Sequence, residues 1–140
     1  MRLRILTPVA EVLAADATIV RALDATGAFA ILPGHADFVT VLGIGVLGWR
    51  GGEGGEHFAA LRHGVLRVTG GDTVTIATRE AHVGDDLAAL ERELVAEYLR
   101  RDEEEAHLRT RAVQLHAAAM RRLQEVIAAG REPVGIGGQP

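Results

Sequence analysis

Six histidines are the first side chains that could do chemistry: His35, His57, His63, His82, His107 and His116. Imidazole is the commonest metal ligand, and a histidine-bearing β-sandwich could house a cupin-like metal enzyme. Two ligands on one face of a strand stand two residues apart, and no His-X-His pair occurs in the chain. His107 and His116 are nine positions apart, which does not fit the three- or four-residue spacing of helical ligands. There is no cysteine, so thiolate sites and disulfides are excluded. The carboxylates Asp85-Asp86 and Asp102–Glu105 could work as acid/base pairs, but a helix cap and a solvated turn account for them more simply. No nucleophile elbow, phosphate loop or dinucleotide fingerprint is present, since Gly43-X-Gly45 lacks a third glycine and a following helix. Arg109, Arg111, Arg121 and Arg122 could meet phosphate or nucleic acid. No aromatic residues are interleaved with them for base stacking, and the net charge is −4. These residues therefore predict an interaction protein with no catalytic residue, no metal and no cofactor. The alternative is the cupin-like metal enzyme, with its helical part serving as a dimerisation tail.

The elements that would carry these residues fall into two parts. Of 17 glycines, 13 lie between Gly27 and Gly84, and none lies between Asp85 and Ala129, a stretch that also lacks proline. That contrast predicts a turn-rich β part over 1–84, a helical part over 85–130 and a flexible tail over 131–140. With 48% hydrophobic but only 4% aromatic residues, the core must be aliphatic. Arg2–Thr7 alternates, with Leu3 and Ile5 on one face, and Glu11–Asp24 reads as two short strands or one bent one. His57–Leu61, Val65–Thr69 and Thr73–Thr78 are further strands, the last with Val74 and Ile76 inward and Thr73 and Thr75 outward. Gly51–Gly55 is a hairpin tip, and Gly43, Gly45 and Gly48 suggest bulges or close backbone approach. Short strands at intervals of about ten residues predict an all-β sandwich or barrel. No apolar run reaches the roughly 18 residues that span a bilayer, and Met1–Leu6 is too short and too alternating for a signal peptide.

After Gly84, an aspartate caps a helix whose apolar residues Leu87, Leu90, Leu94 and Tyr98 recur every three or four positions. A second stripe runs through Leu108, Ala112, Leu115, Ala119, Leu123 and Val126, and Gly130 with Pro133 signals the stop. Residues 85–105 carry nine acids and three arginines, and residues 106–129 carry four arginines and one acid. A hairpin turning near Asp102–Glu105 would bring these opposite charges together and bury both stripes. A continuous helix would run about 65–70 Å at 1.5 Å per residue with its stripes exposed, and would need a partner. The hairpin is the expected resting form.

One stretch remains, Gly27–Leu47, in which two apolar runs flank the corner Pro33-Gly34-His35-Ala36-Asp37. Proline followed by glycine breaks helix and strand alike, so the chain turns there.

Taken together, Gly27-Ala28-Phe29-Ala30-Ile31-Leu32-Pro33-Gly34-His35-Ala36, Gly64-Val65-Leu66-Arg67-Val68 and Gly71-Asp72-Thr73-Val74-Thr75-Ile76 resemble the epsilon subunit of the F-type ATP synthase. The resemblance runs from Met1 to about Val126. It implies a ten-stranded sandwich followed by a helix-turn-helix, in a non-catalytic subunit of the central stalk. Such a subunit binds gamma, rests on the c-ring and reaches the alpha and beta catalytic subunits transiently. It joins the cytoplasmic face of the bacterial plasma membrane only through the complex. The resemblance carries over Gly27, Ala28, Leu32, Pro33, Gly34 and His35 as the c-ring/gamma interface. It also makes the arginines Arg109, Arg111, Arg121 and Arg122 part of a regulatory helix that restrains ATP hydrolysis. Some bacterial members bind ATP through an I/L-D-X-X-R-A motif; here the matching stretch is Leu87-Ala88-Ala89-Leu90-Glu91-Arg92, with both charges replaced. Ala30 and His63 stand where the family has glycine. Thr78-Arg79-Glu80-Ala81 and the glycine-rich tail look more like the epsilon of the alternate, sodium-type bacterial ATPase.

Overall fold

A computed structural model describes the backbone of residues 1–137 and the side chains of residues 1–130. The chain divides into two compact units, Met1–Arg100 and Arg101–Pro140.

The first unit holds ten strands: β1 Arg2–Leu6, β2 Glu11–Asp16, β3 Ile19–Asp24, β4 Gly27–Ile31, β5 Phe38–Leu42, β6 Gly45–Arg50, β7 Glu56–Leu61, β8 Gly64–Thr69, β9 Thr73–Thr78 and β10 Ala81–Gly84. They form one hydrogen-bonded array in the order β10-β7-β6-β3-β5-β8-β9-β1-β2, with β4 paired to β3. Between β3 and β5 the array is joined by the single pair Asp24–Leu42, and there it folds into two layers of five strands. Every pairing is antiparallel except β1 with β9.

Alternation places one side of the central strands between the layers. Leu3 and Ile5 of β1, Leu66 and Val68 of β8, and Val74 and Ile76 of β9 are buried there with Val20, Ile31 and Leu47. This is the aliphatic core that the composition demands, and Trp49 is buried in it. Glu11–Asp24 resolves into two strands, as expected. Of the bulge or close approach anticipated at Gly43, Gly45 and Gly48, β6 shows no bulge, since Gly45–Arg50 pairs with β7 in unbroken register, and only Gly48 packs closely, with the Phe58 ring 3.5 Å from its Cβ position. The irregularity lies instead between Ile5 and Leu6, where β1 slips against β2.

The joint between β7 and β8 consists of Arg62 and His63 alone. His63 takes a left-handed backbone, φ 58°, a conformation costly for a side-chain-bearing residue. The Thr78 hydroxyl lies within hydrogen-bonding reach of the Arg62, His63 and Glu80 carbonyls. The buried Arg62 guanidinium sits 3.8 Å from the Glu80 carboxylate.

Asp86 caps the helical part, its carboxylate accepting from the Ala89 amide. A short α1, Leu87–Ala89, passes into a π-helical turn, Leu90–Val95, and then into α2, Ala96–Gly137. In the first unit Leu90 and Tyr98 are buried against Ala60, with Phe58, Val46 and Ile44 around them. The π turn is why these two share a face. Eight residues at 100° each leave them about 80° apart on an ideal α-helix, and one extra residue in the turn removes that offset.

The expected hairpin is corrected. α2 runs through Asp102–Glu105 without a turn. A run of acids does not break a helix, glutamate being a good helix former, and Glu97 and Arg100 add an ion pair at 2.6 Å in that region. Gly130 does not end the helix either. Its backbone is not left-handed, so it forms no C-terminal cap, and the helix extends to Gly137. Of the expected flexible tail, the side chains of 131–140 and the backbone of 138–140 lie outside the described residues.

Candidate docking site

The corner between β4 and β5 is a tight turn built as its sequence requires. Proline supplies its fixed φ at the second position of Leu32-Pro33-Gly34-His35, and Gly34 supplies a φ of +87° at the third. The His35 amide closes the turn by donating to the Leu32 carbonyl at 3.1 Å. The Nδ1–H of His35 donates to the Ala36 carbonyl at 2.7 Å, and its ring meets the edge of Phe38 at 5.6 Å. His35 is thus spent inside the loop. Leu32, 55% exposed, stands out from it.

A second turn backs this corner, one that the sequence does not advertise. Gly34 donates its amide to the Gly71 carbonyl at 2.7 Å, and Asp37 accepts from the Gly70 amide at 2.9 Å. A Cβ on Gly71 would come within 3.1 Å of the Gly34 Cα. The β8–β9 turn and the proline corner therefore form one rigid piece. Asp37, the last residue of the corner, and Gly70 and Gly71 also belong to the site; no short-range signal in the sequence joins the two glycines to the corner.

Gly27 and Ala28 are elsewhere. They open β4, whereas Leu32–His35 follow its end, so five residues, roughly 17 Å, separate Gly27 from Leu32. The six residues that the resemblance places at the c-ring/gamma interface thus stand at the two ends of one strand. At the Gly27 end the chain turns on Gly27, φ +122°, and on Asp24. The Asp24 carboxylate accepts from the Thr26 hydroxyl, the Thr40 hydroxyl at 2.7 Å and the Thr26 amide at 2.8 Å. The Thr26 and Thr40 hydroxyls, with the Thr26 amide, hold its pKa below the ordinary 3.8.

A carboxylate lowered in this way stabilises the fold above its ordinary pKa, and the stabilisation is lost as pH falls through the folded value. Asp24→Asn should therefore unfold at lower temperature than the parent at pH 7, and the gap should close below pH 3.8. Thermal unfolding followed across that range checks it; a gap that does not depend on pH counts against the charge.

On α2, Arg109, Arg111, Arg121 and Arg122 are exposed, and none has an ion-pair partner among the described residues. Helical spacing of about 100° per residue places Arg111 and Arg122 within roughly 20° of each other, bordering the stripe of Leu108, Leu115 and Val126. Arg109 and Arg121 fall away from that stripe, so the four are not one patch. Leu108, Leu115, Leu123 and Val126 are all exposed. The histidines do not converge: among the described residues no three histidine, aspartate or glutamate side chains gather as a metal site would require.

The class that this fold defines is a ten-stranded β-sandwich carrying a C-terminal helix. Residues 1–84 match the family model for the ATP synthase delta/epsilon chain, beta-sandwich domain. Over 124 residues the chain is 48% identical to ATP synthase epsilon chain 2 of Cereibacter sphaeroides, covering 88% of this chain and 85% of that one. It is 46% identical over the same length to ATP synthase epsilon chain 2 of Paraburkholderia xenovorans, with 88% and 89% covered. A chain in the Euglena gracilis mitochondrial ATP synthase, OSCP/F1/c-ring, superposes with a TM-score of 0.55 at 25% identity, over 75% of this chain and 62% of that one. The chain belongs to the ATP synthase delta/epsilon family.

Proposed function

We propose that this chain is the epsilon subunit of a rotary F-type ATP synthase, a central-stalk component with no active site of its own. It joins gamma to the c-ring and so couples ion translocation to ATP synthesis or hydrolysis. The observation that carries this reading is that β4 has two separately built ends. A linker between two partners needs two docking surfaces, and the Asp24–Ala28 turn and the braced Leu32–His35 corner provide them. The family membership of the sandwich agrees with it. No helix among the described residues is long and apolar enough to cross a membrane, so attachment at the cytoplasmic face of the bacterial membrane would come through the complex. Both relatives bear the designation epsilon chain 2, which supports assignment to the alternate bacterial enzyme.

The exposed stripe and unpaired arginines of α2 support a second role, restraint of ATP hydrolysis through contact with the alpha and beta subunits. The stalk reading is tested by coexpressing the chain with gamma, alpha and beta from the same genome. It should elute with them in a fixed ratio; a chain that stays apart as a monomer overturns the reading.

A further inference from the structure

Within α2, Leu108, Ala112, Leu115 and Ala119 step by four, three and four residues, the spacing of the core positions of a coiled coil. All four are exposed, Leu108 by 63% and Leu115 by 70%. Because α2 does not turn at Asp102–Glu105, no later stretch of the helix comes back to cover this row. Continued in both directions, the same spacing reaches a charge. Glu105 lies three residues before Leu108, and Arg122 lies three residues after Ala119. Arg122 has no ion-pair partner among the described residues. The row is thus four apolar positions closed by an acid at one end and a base at the other.

We propose that, outside the complex, two copies of this chain pair through α2 as an antiparallel coiled coil centred between Val113 and Gln114. In that arrangement the row of one copy meets the same row in reverse. Leu108 faces the second copy's Ala119, and Ala112 faces its Leu115, so each apolar layer sets a large residue against a small one. Glu105 faces the second copy's Arg122, and Arg122 faces its Glu105. Both ends of the seam therefore close on opposite charges, which steer partner choice and suppress wrong pairings.

The alternatives lack this match. In a parallel pair each residue meets its own equivalent, so Glu105 would meet Glu105 and Arg122 would meet Arg122. An antiparallel pair shifted by one heptad sets both charges against apolar residues. Polar layers of this kind fix orientation and register. The reversed order also favours a second copy over an unrelated helix, because each end of the row supplies the charge that the other end lacks. A helix gains most of its stability by packing an apolar face, and the pair supplies that packing. The stripe is also the face proposed to meet alpha and beta, so pairing and restraint of hydrolysis exclude one another.

The test is sedimentation equilibrium of the full chain alone over a range of concentrations. It compares the parent, Arg122→Glu, the charge swap of Glu105→Arg with Arg122→Glu, and the truncation after Glu105. The parent should approach twice the monomer mass, and the truncation should stay monomeric. Arg122→Glu should raise the dissociation constant at least about tenfold, and the charge swap should bring it back toward the parent. Orientation is read by oxidation, since the chain has no cysteine of its own. Leu108→Cys mixed with Ala119→Cys should form an intermolecular disulfide. Neither should do so alone, because like positions stand about 16 Å apart along the antiparallel seam. A parent that is monomeric at every concentration overturns the inference and leaves the stalk reading standing. Disulfides formed within each single variant, and not between the two, overturn the antiparallel pairing.

Discussion

Gly64→Ala should destabilise the sandwich by about 1–3 kcal/mol, the range for forcing an added group into a packed interior. The reason is local and strict. A Cβ at Gly64 would lie 2.6 Å from the Ala77 carbonyl oxygen, which belongs to the backbone of the paired strand β9. A flexible side chain could swing aside, but a strand hydrogen-bonded on both edges cannot. The displacement would also reach Thr78, whose hydroxyl gathers the carbonyls of the β7–β8 joint. In a domain of this size each kcal/mol lowers the melting temperature by roughly 4–8 °C. Gly43→Ala is the control: nothing lies within 4 Å of its Cβ position and its φ is ordinary, so its stability should stay within about 0.5 kcal/mol of the parent. Denaturant unfolding of the two variants decides it, and equal midpoints would show that β9 yields.

Removal of everything after Glu105 should raise ATP hydrolysis by the assembled complex several-fold while leaving the sandwich folded. The cut falls beyond Met1–Arg100, which holds all ten strands together with Leu90 and Tyr98. It takes away the exposed Leu108–Val126 stripe and all four unpaired arginines. Replacing Arg109, Arg111, Arg121 and Arg122 with alanine separates the two ingredients. Hydrolysis that rises as far as in the truncation assigns the restraint to charge, and a smaller rise assigns the remainder to the stripe. Hydrolysis unchanged in both would remove the regulatory role from α2.

What could be read in the sequence was whatever depends on short range. Leu3 and Ile5, or Val74 and Ile76, declare their inward face by alternation alone, and Pro33-Gly34 declares its turn. What depends on distant neighbours stayed hidden. Gly34 and Gly71 are 37 positions apart, and neither alone says that the corner rests on the β8–β9 turn. The resemblance groups Gly27 and Ala28 with Leu32–His35, and only the extended β4 shows that they stand at its opposite ends. The hairpin near Asp102–Glu105 was inferred from charge balance between two halves, whereas residues 96–129 contain nothing that interrupts a helix.

The π turn at Leu90–Val95 bears on how length can vary in this chain. It holds one residue more than an α-helix needs to bring Leu90 and Tyr98 onto the same side. Deleting a single residue among 91–93 would let the backbone relax to plain α-helix with Tyr98 still facing Ala60. The same deletion beyond Arg101 has no such slack and would swing every later side chain by about 100°. The beginning of the helix is thus the place where insertions and deletions cost least, and related chains that differ by one residue in length would be expected to differ there.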